Sequence, residues 1–261
     1  MPIKSKASGL DTTFDTGQYA LPYALGVEHH FWNVARNRIV ERHVRKTVAR
    51  QLNPQAIILD VGCGPGIVVD HLRHAGIDCH GVELGRPVVR AGLEQIVQTG
   101  TDARDLPADL RSRTGTILLL DVVEHIEQPD EFIHGLRSAF PAVEHFIVTV
   151  PARMELWSNY DKFYGHFLRY DKPSLTALAE RTELDVVVMK YFFAGLYPAM
   201  KLTLHRNNER PIETKPPLGA GLWAHAAIGR AFALEERLPI LGAVPGTSLL
   251  CILSARRPSS S

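Results

Sequence analysis

The sequence predicts an α/β fold: a doubly wound, Rossmann-like domain on a mostly parallel seven-stranded sheet, with N-terminal helices and a helical insertion before the last strand. From residue 56 onward, short apolar runs alternate with helical patterns, which is typical of βαβ units around a parallel sheet. One apolar run leads into a glycine-rich turn, and the next run ends in an acidic residue. The length of 261 residues suits one domain of this kind.

The same pattern predicts the organisation of the chain. We expect a flexible leader over 1–17, the main domain over 18–193 and 247–256, and a helical cap over 194–246. The cap is predicted because the last two strands of such a sheet usually lie side by side and need only a short turn. Helical patterns in this stretch, including 219–236, supply too much apolar surface for disorder. We expect the cap to form part of an acceptor pocket, although a dimer contact or a membrane-resting surface stays open.

The individual elements follow from periodicity and chain breakers. A long amphipathic helix is predicted over 27–52, because valines recur at every fourth position and charged residues lie between them. Pro54 ends it, since proline cannot continue the hydrogen-bond ladder. Strands are predicted at 56–61, 78–83, 115–121, 143–150, 183–192 and 247–254, with a weaker one at 100–103. Further helices are predicted at 66–75, 86–98, 129–139 and 173–182.

Composition excludes several classes of protein. The formal net charge is +1, so we expect no nucleic-acid partner. Three cysteines without a paired motif argue against a disulfide framework or a cysteine-based zinc site. No signal-peptide pattern is present, and no apolar run approaches the roughly 18 residues that span a bilayer. We therefore expect a cytoplasmic protein without membrane contact; a homodimer stays open.

The glycine-rich turn is the strongest functional signal. Residues 57–66 read IILDVGCGPG, a buried strand that runs into a tight turn and then a helix. Gly62 and Gly64 would let the backbone approach a ligand closely, and the helix start leaves free N–H groups there. Glu83 ends the next strand, where an acid can accept hydrogen bonds from ribose hydroxyls. The turn therefore predicts a site for an adenosine-containing ligand, against the alternative of a tight turn without one.

Two residues argue against a nicotinamide cofactor. The dinucleotide fingerprint needs a glycine at position 67, where this chain has Ile67. Asp60 beside the turn would repel a pyrophosphate but suits a ligand that carries an ammonium and a sulfonium. A nicotinamide-dependent oxidoreductase is therefore disfavoured but stays as a rival hypothesis.

With these residues the sequence resembles the class I S-adenosylmethionine-dependent methyltransferases over about residues 56–190. The segments 101–107 and 118–125 resemble the adenine-side loop and the fourth strand of that family. The resemblance implies S-adenosylmethionine as cofactor and Asp102 as the acceptor for the adenine amino group. The cofactor-binding residues that it implies around these motifs are Asp60, Gly62, Cys63, Gly64, Glu83, Leu84, Asp102, Ala103, Asp121 and Val122.

A narrower likeness lies outside the first motif. Residues 30–32 with Arg36, and residues 165–170, resemble a small-molecule branch related to the ubiquinone-biosynthesis O-methyltransferases. That likeness implies a small-molecule acceptor. Trp32 could cover the cofactor's sulfonium and Arg36 could pair with its carboxylate. Packing of the first helix and a solvated charged face are the alternatives.

Methyl transfer needs alignment of donor and acceptor and, for a hydroxyl or ammonium acceptor, a base. His125 is the first candidate and His166 the second; a purely structural bond is the alternative for each. Glu124 with His125 and Asp121 could instead hold a divalent metal, but we predict none. The predicted function is methyl transfer to an oxygen or nitrogen of a small molecule. A cofactor-binding partner protein without catalysis stays open.

Overall fold

A computed structural model describes residues 23–49, 53, 55–207, 209–238 and 244–256. The predicted leader over 1–17 lies outside these ranges, and so does Pro54, the predicted end of the first helix.

The central feature is a seven-stranded sheet with the order β3-β2-β1-β4-β5-β7-β6. The strands are β1 (Ile57–Val61), β2 (Cys79–Glu83), β3 (Val97–Thr99), β4 (Thr114–Leu120), β5 (His145–Pro151), β6 (Leu184–Phe192) and β7 (Ser248–Ala255). The first five run parallel, whereas β7 pairs antiparallel with both β5 and β6. The predicted mostly parallel, seven-stranded sheet is confirmed.

Helices cover both faces of this sheet. They are α1 (Phe31–Val48), α2 (Ile67–His74), α3 (Ala108–Arg113), α4 (Pro129–Ala139), α5 (Asn159–Phe163), α6 (Lys172–Arg181), α7 (Leu196–Asn207) and α8 (Gly221–Glu235). Alternate residues of β4 enter two different apolar cores, as the period of two in a strand requires. Ile117 and Leu119 pack towards α4 and α6, while Leu118 and Leu120 pack towards α1 and α2. The domain is therefore doubly wound.

One predicted helix is wrong. Residues 86–98 form turns and irregular backbone up to the short strand β3, which lies just before the predicted position at 100–103. Pro87 lacks a backbone N–H, and Gly92 adopts a left-handed conformation with φ of 86°. Leu93 is nevertheless buried against the core. The helix-like spacing of apolar residues therefore reflects loop residues that pack inward separately.

The insertion between β6 and β7 forms a second layer on α1. Its last helix, α8, approaches α1 so closely that a Cβ atom on Gly229 would lie 2.7 Å from the side chain of Val34. Phe232 packs against Phe31 and Phe193, with ring centroids 5.9 and 5.3 Å apart. Much of the predicted cap is thus fixed to the outside of the first helix.

Candidate functional site

The glycine-rich turn follows β1 at the carboxyl edge of the sheet. Gly62, Gly64 and Gly66 all have positive φ, of 75°, 55° and 92°, which L side chains rarely adopt. A Cβ atom on Gly62 would lie 2.7 Å from Val122, and one on Gly64 would lie 2.8 Å from the ring of Tyr23. The turn is therefore pressed between the end of β4 and an N-terminal tyrosine that the motif analysis missed.

Glu83 ties this turn to the neighbouring strand. It ends β2 and is only 8% exposed. Its Oε2 accepts a hydrogen bond from the amide of Gly64 at 2.9 Å, and its Oε1 accepts one from Gly85 at 2.9 Å. The carboxylate thus lies at the base of the glycine turn, directly before Leu84. Its contact with a ribose stays a prediction.

Arg36 of α1 reaches the same edge. Its Nη1 lies 2.8 Å from Oδ2 of Asp121, the first residue after β4. Its guanidinium also lies 4.8 Å from the ring centroid of Trp32, which stacks on Phe193 at 6.0 Å. Trp32 is therefore half-buried against the core and supports Arg36 at the site, and its contact with the cofactor stays a prediction. Arg38, by contrast, lies on the exposed face of α1.

The charges around Arg36 are mostly negative. Asp60, Glu83 and Asp121 are close enough to interact with one another, and Arg36 is the cation among them. Burial raises the pKa of Asp60 to about 7; Glu83 and Asp121 add to this shift and Arg36 opposes it. An excess of carboxylates favours a ligand with an ammonium and a sulfonium and disfavours a pyrophosphate.

This pKa gives a testable dependence on pH. A bound cation favours the ionised form of Asp60, so we expect affinity for S-adenosylmethionine to rise as the pH passes through about 7. The rise should be about tenfold between roughly pH 6 and roughly pH 8, since protonation of one group controls it. Isothermal titration calorimetry of the wild type and of Asp60→Asn measures the effect. The variant should show a flat profile; an unchanged slope in Asp60→Asn would assign the titration to another group.

The predicted adenine-side loop lies beside Glu83. The amide of Thr101 donates to the carbonyl of Glu83 at 3.3 Å, and Asp102 caps the single turn Ala103–Asp105. The Asp102 Oδ1 accepts from the amide and the Nε of Arg104, both at 2.8 Å, and these bonds lower the pKa of Asp102. Asp102 and Ala103 are therefore at the expected edge. An adenine contact would have to share the carboxylate with Arg104.

The two predicted histidines meet at the end of β4. His125 ends the single turn Val123–His125, and its ring centroid lies 4.6 Å from that of His166 in an edge-to-face arrangement. Burial and the neighbouring His166 lower the pKa of His125 to about 3, although a bond with the backbone of Tyr164 opposes the shift. His125 is therefore neutral at neutral pH and a weak proton acceptor.

His166 is held by a buried carboxylate that the motif analysis missed. Its Nδ1 lies 2.9 Å from Oδ1 of Asp161, which also accepts from Nε of Arg169 at 2.8 Å. Burial opposes ionisation of Asp161, but His166 and Arg169 outweigh it and lower the pKa to about 2. Because a carboxylate only accepts, Nδ1 of His166 carries the proton and Nε2 is left as the acceptor. The pattern Ser158-x-x-Asp161, a capping box in the structure, was the local signal for this residue.

The same histidines could hold a metal together with Glu124. One donor atom from each of Glu124, His125 and His166 lies within 4.8 Å of the others. Glu124 is 1% exposed, and its Oε2 makes no hydrogen bond within the described part of the chain. One carboxylate and two imidazoles suit first-row divalent cations, and Asp161 would orient His166 from behind. His166, rather than the Asp121 considered from sequence, is the third member of this cluster.

Part of the insertion closes over the histidines. Arg210 lies with its guanidinium 3.7 Å from the ring centroid of Tyr160, whose ring is 6.2 Å from that of His166. Asn159 holds the backbone of Arg210 through two hydrogen bonds, of 2.9 and 3.0 Å. Trp223, in contrast, is 81% exposed on α8. The segment 209–213, and not Trp223, therefore borders the histidines.

Comparison with known proteins gives the family. The methyltransferase-domain family model matches residues 34–188, more than half of the chain. A stretch of 130 residues, 46% of this chain, is 26% identical to a ubiquinone biosynthesis O-methyltransferase of Azotobacter vinelandii. The match spans about half of that relative, 53% of its length.

Solved structures share the fold at low sequence identity. The 1,6-didemethyltoxoflavin-N1-methyltransferase of Burkholderia thailandensis superposes with a TM-score of 0.52 and 13% identity, over 87% of this chain and 81% of that one. The magnesium protoporphyrin IX methyltransferase of Synechocystis gives 0.50 and 13%, over 92% of each chain.

The chain therefore belongs to the methyltransferase-domain family, within the class I S-adenosylmethionine-dependent methyltransferases. This confirms the resemblance stated from the sequence, and S-adenosylmethionine is the cofactor of the family. Over the described residues, none of the helices has the length and apolar character that crossing a membrane requires. The cytoplasmic location and the lack of a nucleic-acid partner stay predictions.

Proposed function

We propose that this protein transfers a methyl group from S-adenosylmethionine to an oxygen or nitrogen of a small-molecule acceptor, and that His166 takes the acceptor's proton. The observation that carries the proposal is the Asp161–His166 pair, which contacts His125, four residues after Asp121 at the end of β4. Family membership alone would leave the acceptor and the base open.

The cofactor would lie across the glycine turn. Gly62 and Gly64 let it approach the backbone, and Glu83 would accept from its ribose hydroxyls. Asp60 and Asp121 would stabilise its ammonium and sulfonium. The methyl group would then point towards the histidines, because Asp121 follows β4 and leads directly into the turn that carries His125.

The reaction is an in-line displacement. The acceptor's lone pair forms the new bond to the methyl carbon, the carbon–sulfur bond breaks, and its electron pair stays on sulfur, giving S-adenosylhomocysteine. The acceptor's proton moves to Nε2 of His166, and Asp161 stabilises the resulting imidazolium through Nδ1. His125, neutral and weakly basic, would orient the acceptor. The proposal therefore reverses the order in which the sequence ranked the two histidines.

Arg210 indicates the class of acceptor. Burial lowers the pKa of its guanidinium, and within the described residues it forms no ion pair. The nearby carboxylate of Asp161 is already bonded to Arg169 and His166. A partly buried cation without a carboxylate partner is costly, even with the Tyr160 ring against it, and an anion on the ligand would offset that cost. We therefore expect an acceptor that carries a carboxylate or a phosphate as well as the methylated group.

An acceptor screen tests the function. Phenols, alcohols and amines, each with and without a carboxylate, are incubated with the protein and S-adenosylmethionine, and release of S-adenosylhomocysteine is measured. We expect turnover with a subset of these compounds and a preference for the acidic member of each pair. A protein that binds S-adenosylhomocysteine in calorimetry but methylates no compound of the screen would instead favour the non-catalytic alternative.

A metal-assisted form of the reaction has one observation in its favour, the unpartnered Oε2 of Glu124. A divalent cation on Glu124, His125 and His166 would make His166 a ligand and not a base. The cation would then lower the pKa of an acceptor hydroxyl bound to it, and the proton would leave to solvent.

A further inference from the structure

Helix α8 has two apolar faces, and among the described residues only the inner one is covered. The inner face carries Gly229 and Phe232, which pack on α1 and Phe193. The outer face carries Trp223, Ile228 and Leu234, which are 81%, 43% and 55% exposed. Such a helix would ordinarily present polar residues to water.

The outer face is a continuous stripe without acidic residues. Its members recur at helical spacing, and all are exposed: Trp223, Ala227, Ile228, Ala231, Leu234 and, just beyond the helix, Leu238. The two acids at the end of α8 are turned away from it. Glu235 accepts from the backbone amides of Ala194 and Gly195. Glu236 is buried, in an ion pair with Arg42 and a hydrogen bond with His43.

Cations border the stripe on one side. Between α1 and α8 runs a groove of about 500 Å³, whose lining cations are Arg38, Arg42, Arg45, Lys46, Arg230 and Arg237. The groove also contains Glu41, but that carboxylate is bonded to Arg45 and His71. As far as the described residues go, Arg38, Lys46, Arg230 and Arg237 have no ion-pair partner.

The buried groups beneath the groove show the effect of this charge. Burial, together with the cations Arg42, Lys46 and Lys190, lowers the pKa of His43 to about 4. The pKa of Arg42 is lowered by burial and by Arg237. The positive charge is therefore concentrated at this face, although the whole chain has a net charge of only +1.

We propose that this face, the outer stripe of α8 with the basic groove beside it, docks on an anionic phospholipid bilayer. Trp223, Ile228 and Leu234 would enter the boundary between headgroups and acyl chains, and the cations would contact lipid phosphates. This takes up the membrane-resting surface that the sequence left open for the insertion, in place of the expectation that the protein makes no membrane contact. No membrane crossing is involved.

A second copy of the chain fits the face less well than a lipid surface. A two-fold interface brings the same patch against itself, and because the stripe contains no acidic residue, the partner's stripe would offer no carboxylate to Arg230 and Arg237. Like charges across an interface oppose association. An anionic bilayer satisfies the apolar stripe and the cations together.

Vesicle binding tests the proposal directly. The full-length protein is sedimented with vesicles of phosphatidylcholine mixed with phosphatidylglycerol, and with vesicles of phosphatidylcholine alone. We expect binding to the anionic vesicles that weakens with added salt, and little binding to the neutral ones. Trp223 is a built-in reporter, because the other two tryptophans, Trp32 and Trp157, are half-buried. Its fluorescence should shift to the blue on binding.

Surface variants separate the apolar and the basic contributions. Ile228→Asp with Leu234→Asp should abolish vesicle binding. Arg230→Gln with Arg237→Gln should weaken it about 25-fold, since each cation near an anionic bilayer contributes about a factor of five. Val88→Asp, at a site 92% exposed on another surface, is the matched control for an added charge and should bind like the wild type. Arg113→Gln on α3 is the matched control for a lost cation.

Two readouts keep the outcomes distinct. Trp223→Phe should remove the fluorescence shift and retain most of the binding, and S-adenosylhomocysteine affinity should be the same in all variants if they fold. The proposal is wrong if the wild type does not sediment with anionic vesicles, or binds neutral vesicles equally well. It is also wrong if Ile228→Asp with Leu234→Asp changes only the oligomeric state in light scattering, because the face would then join two copies of the chain.

Discussion

Replacing His166 with alanine is expected to slow methyl transfer about 10²–10⁴-fold while leaving the affinity for S-adenosylhomocysteine nearly unchanged. A fall in rate of this size is expected when a positioned base is removed, because Nε2 of His166 is the proton acceptor of the Asp161–His166 pair. The turnover number with a saturating acceptor measures the first effect and calorimetry the second. His125→Ala should cost less, because the low pKa of His125, about 3, makes it a poor base.

Replacement of Asp161, the carboxylate that supports His166, is a control for the proposed base. Its expected effect on the pH–rate profile would not arise if the pair had only a structural role. Asp161→Asn removes the charge that stabilises the His166 imidazolium but keeps a side chain of similar shape. We expect a lower turnover number and a changed pH–rate profile, with cofactor affinity retained. If His125→Ala abolishes turnover and His166→Ala does not, the order ranked from sequence is right and the base is His125.

Glu124→Gln distinguishes a histidine base from a metal ligand. The Oε2 of Glu124 has no hydrogen-bond partner among the described residues, so the Glu124→Gln variant should fold. If the reaction needs no metal, this variant should keep its activity. With a bound cation, Glu124→Gln should lose about as much activity as His166→Ala. A chelator should then inhibit the wild type, and Zn²⁺, Mn²⁺ or Co²⁺ should restore it. Binding of Co²⁺, followed by its visible absorption, gives a readout that does not depend on turnover.

The centre of the sheet could be predicted from the sequence because its strands are fully buried. Each residue of β1 and β4 is buried, and both strands read as largely apolar runs, apart from Asp60 in β1 and two threonines at the start of β4. The stretch 86–98 could not be predicted in this way. Its apolar residues satisfy a helical period, but Pro87, Gly92 and the pairing of β3 with β2 determine the backbone there.

The site also contains residues that could be predicted from the sequence and residues that could not. Gly62, Gly64 and Glu83 carry strong local signals, because a turn between strand and helix constrains backbone geometry within a few residues. Asp161 and Arg210 reach the histidines only through the packing of α5 and the insertion. The local pattern Ser158-x-x-Asp161 signals the start of a helix but not the contact with His166. The same limit applies to the insertion. The sequence predicts that it forms part of an acceptor pocket, but α8 packs one face on α1 and leaves Trp223 exposed.

Glu83→Ala is expected to weaken binding of S-adenosylhomocysteine by about 1.5–3 kcal/mol, the contribution of hydrogen bonds to a charged group. The carboxylate has two functions in this structure, since it also accepts from the amides of Gly64 and Gly85. Thermal unfolding without ligand measures how far the bonds to the glycine turn stabilise the protein. Calorimetry measures the combined effect of the lost ribose bonds and the altered turn on ligand affinity.

Glu83→Gln separates these two functions. An amide keeps one oxygen to accept a backbone N–H, so the glycine turn should hold its shape, while the charge-assisted bonds to the ribose are lost. We therefore expect the Glu83→Gln variant to come closer to the wild type in thermal stability than in affinity for S-adenosylhomocysteine. Glu94→Ala, an exposed acid that bonds only to the amide of Gly92 in the nearby loop, should leave affinity unchanged. Wild-type affinity in a folded Glu83→Ala protein would mean that the adenosine lies elsewhere, because a buried carboxylate at the ribose cannot be removed without a loss.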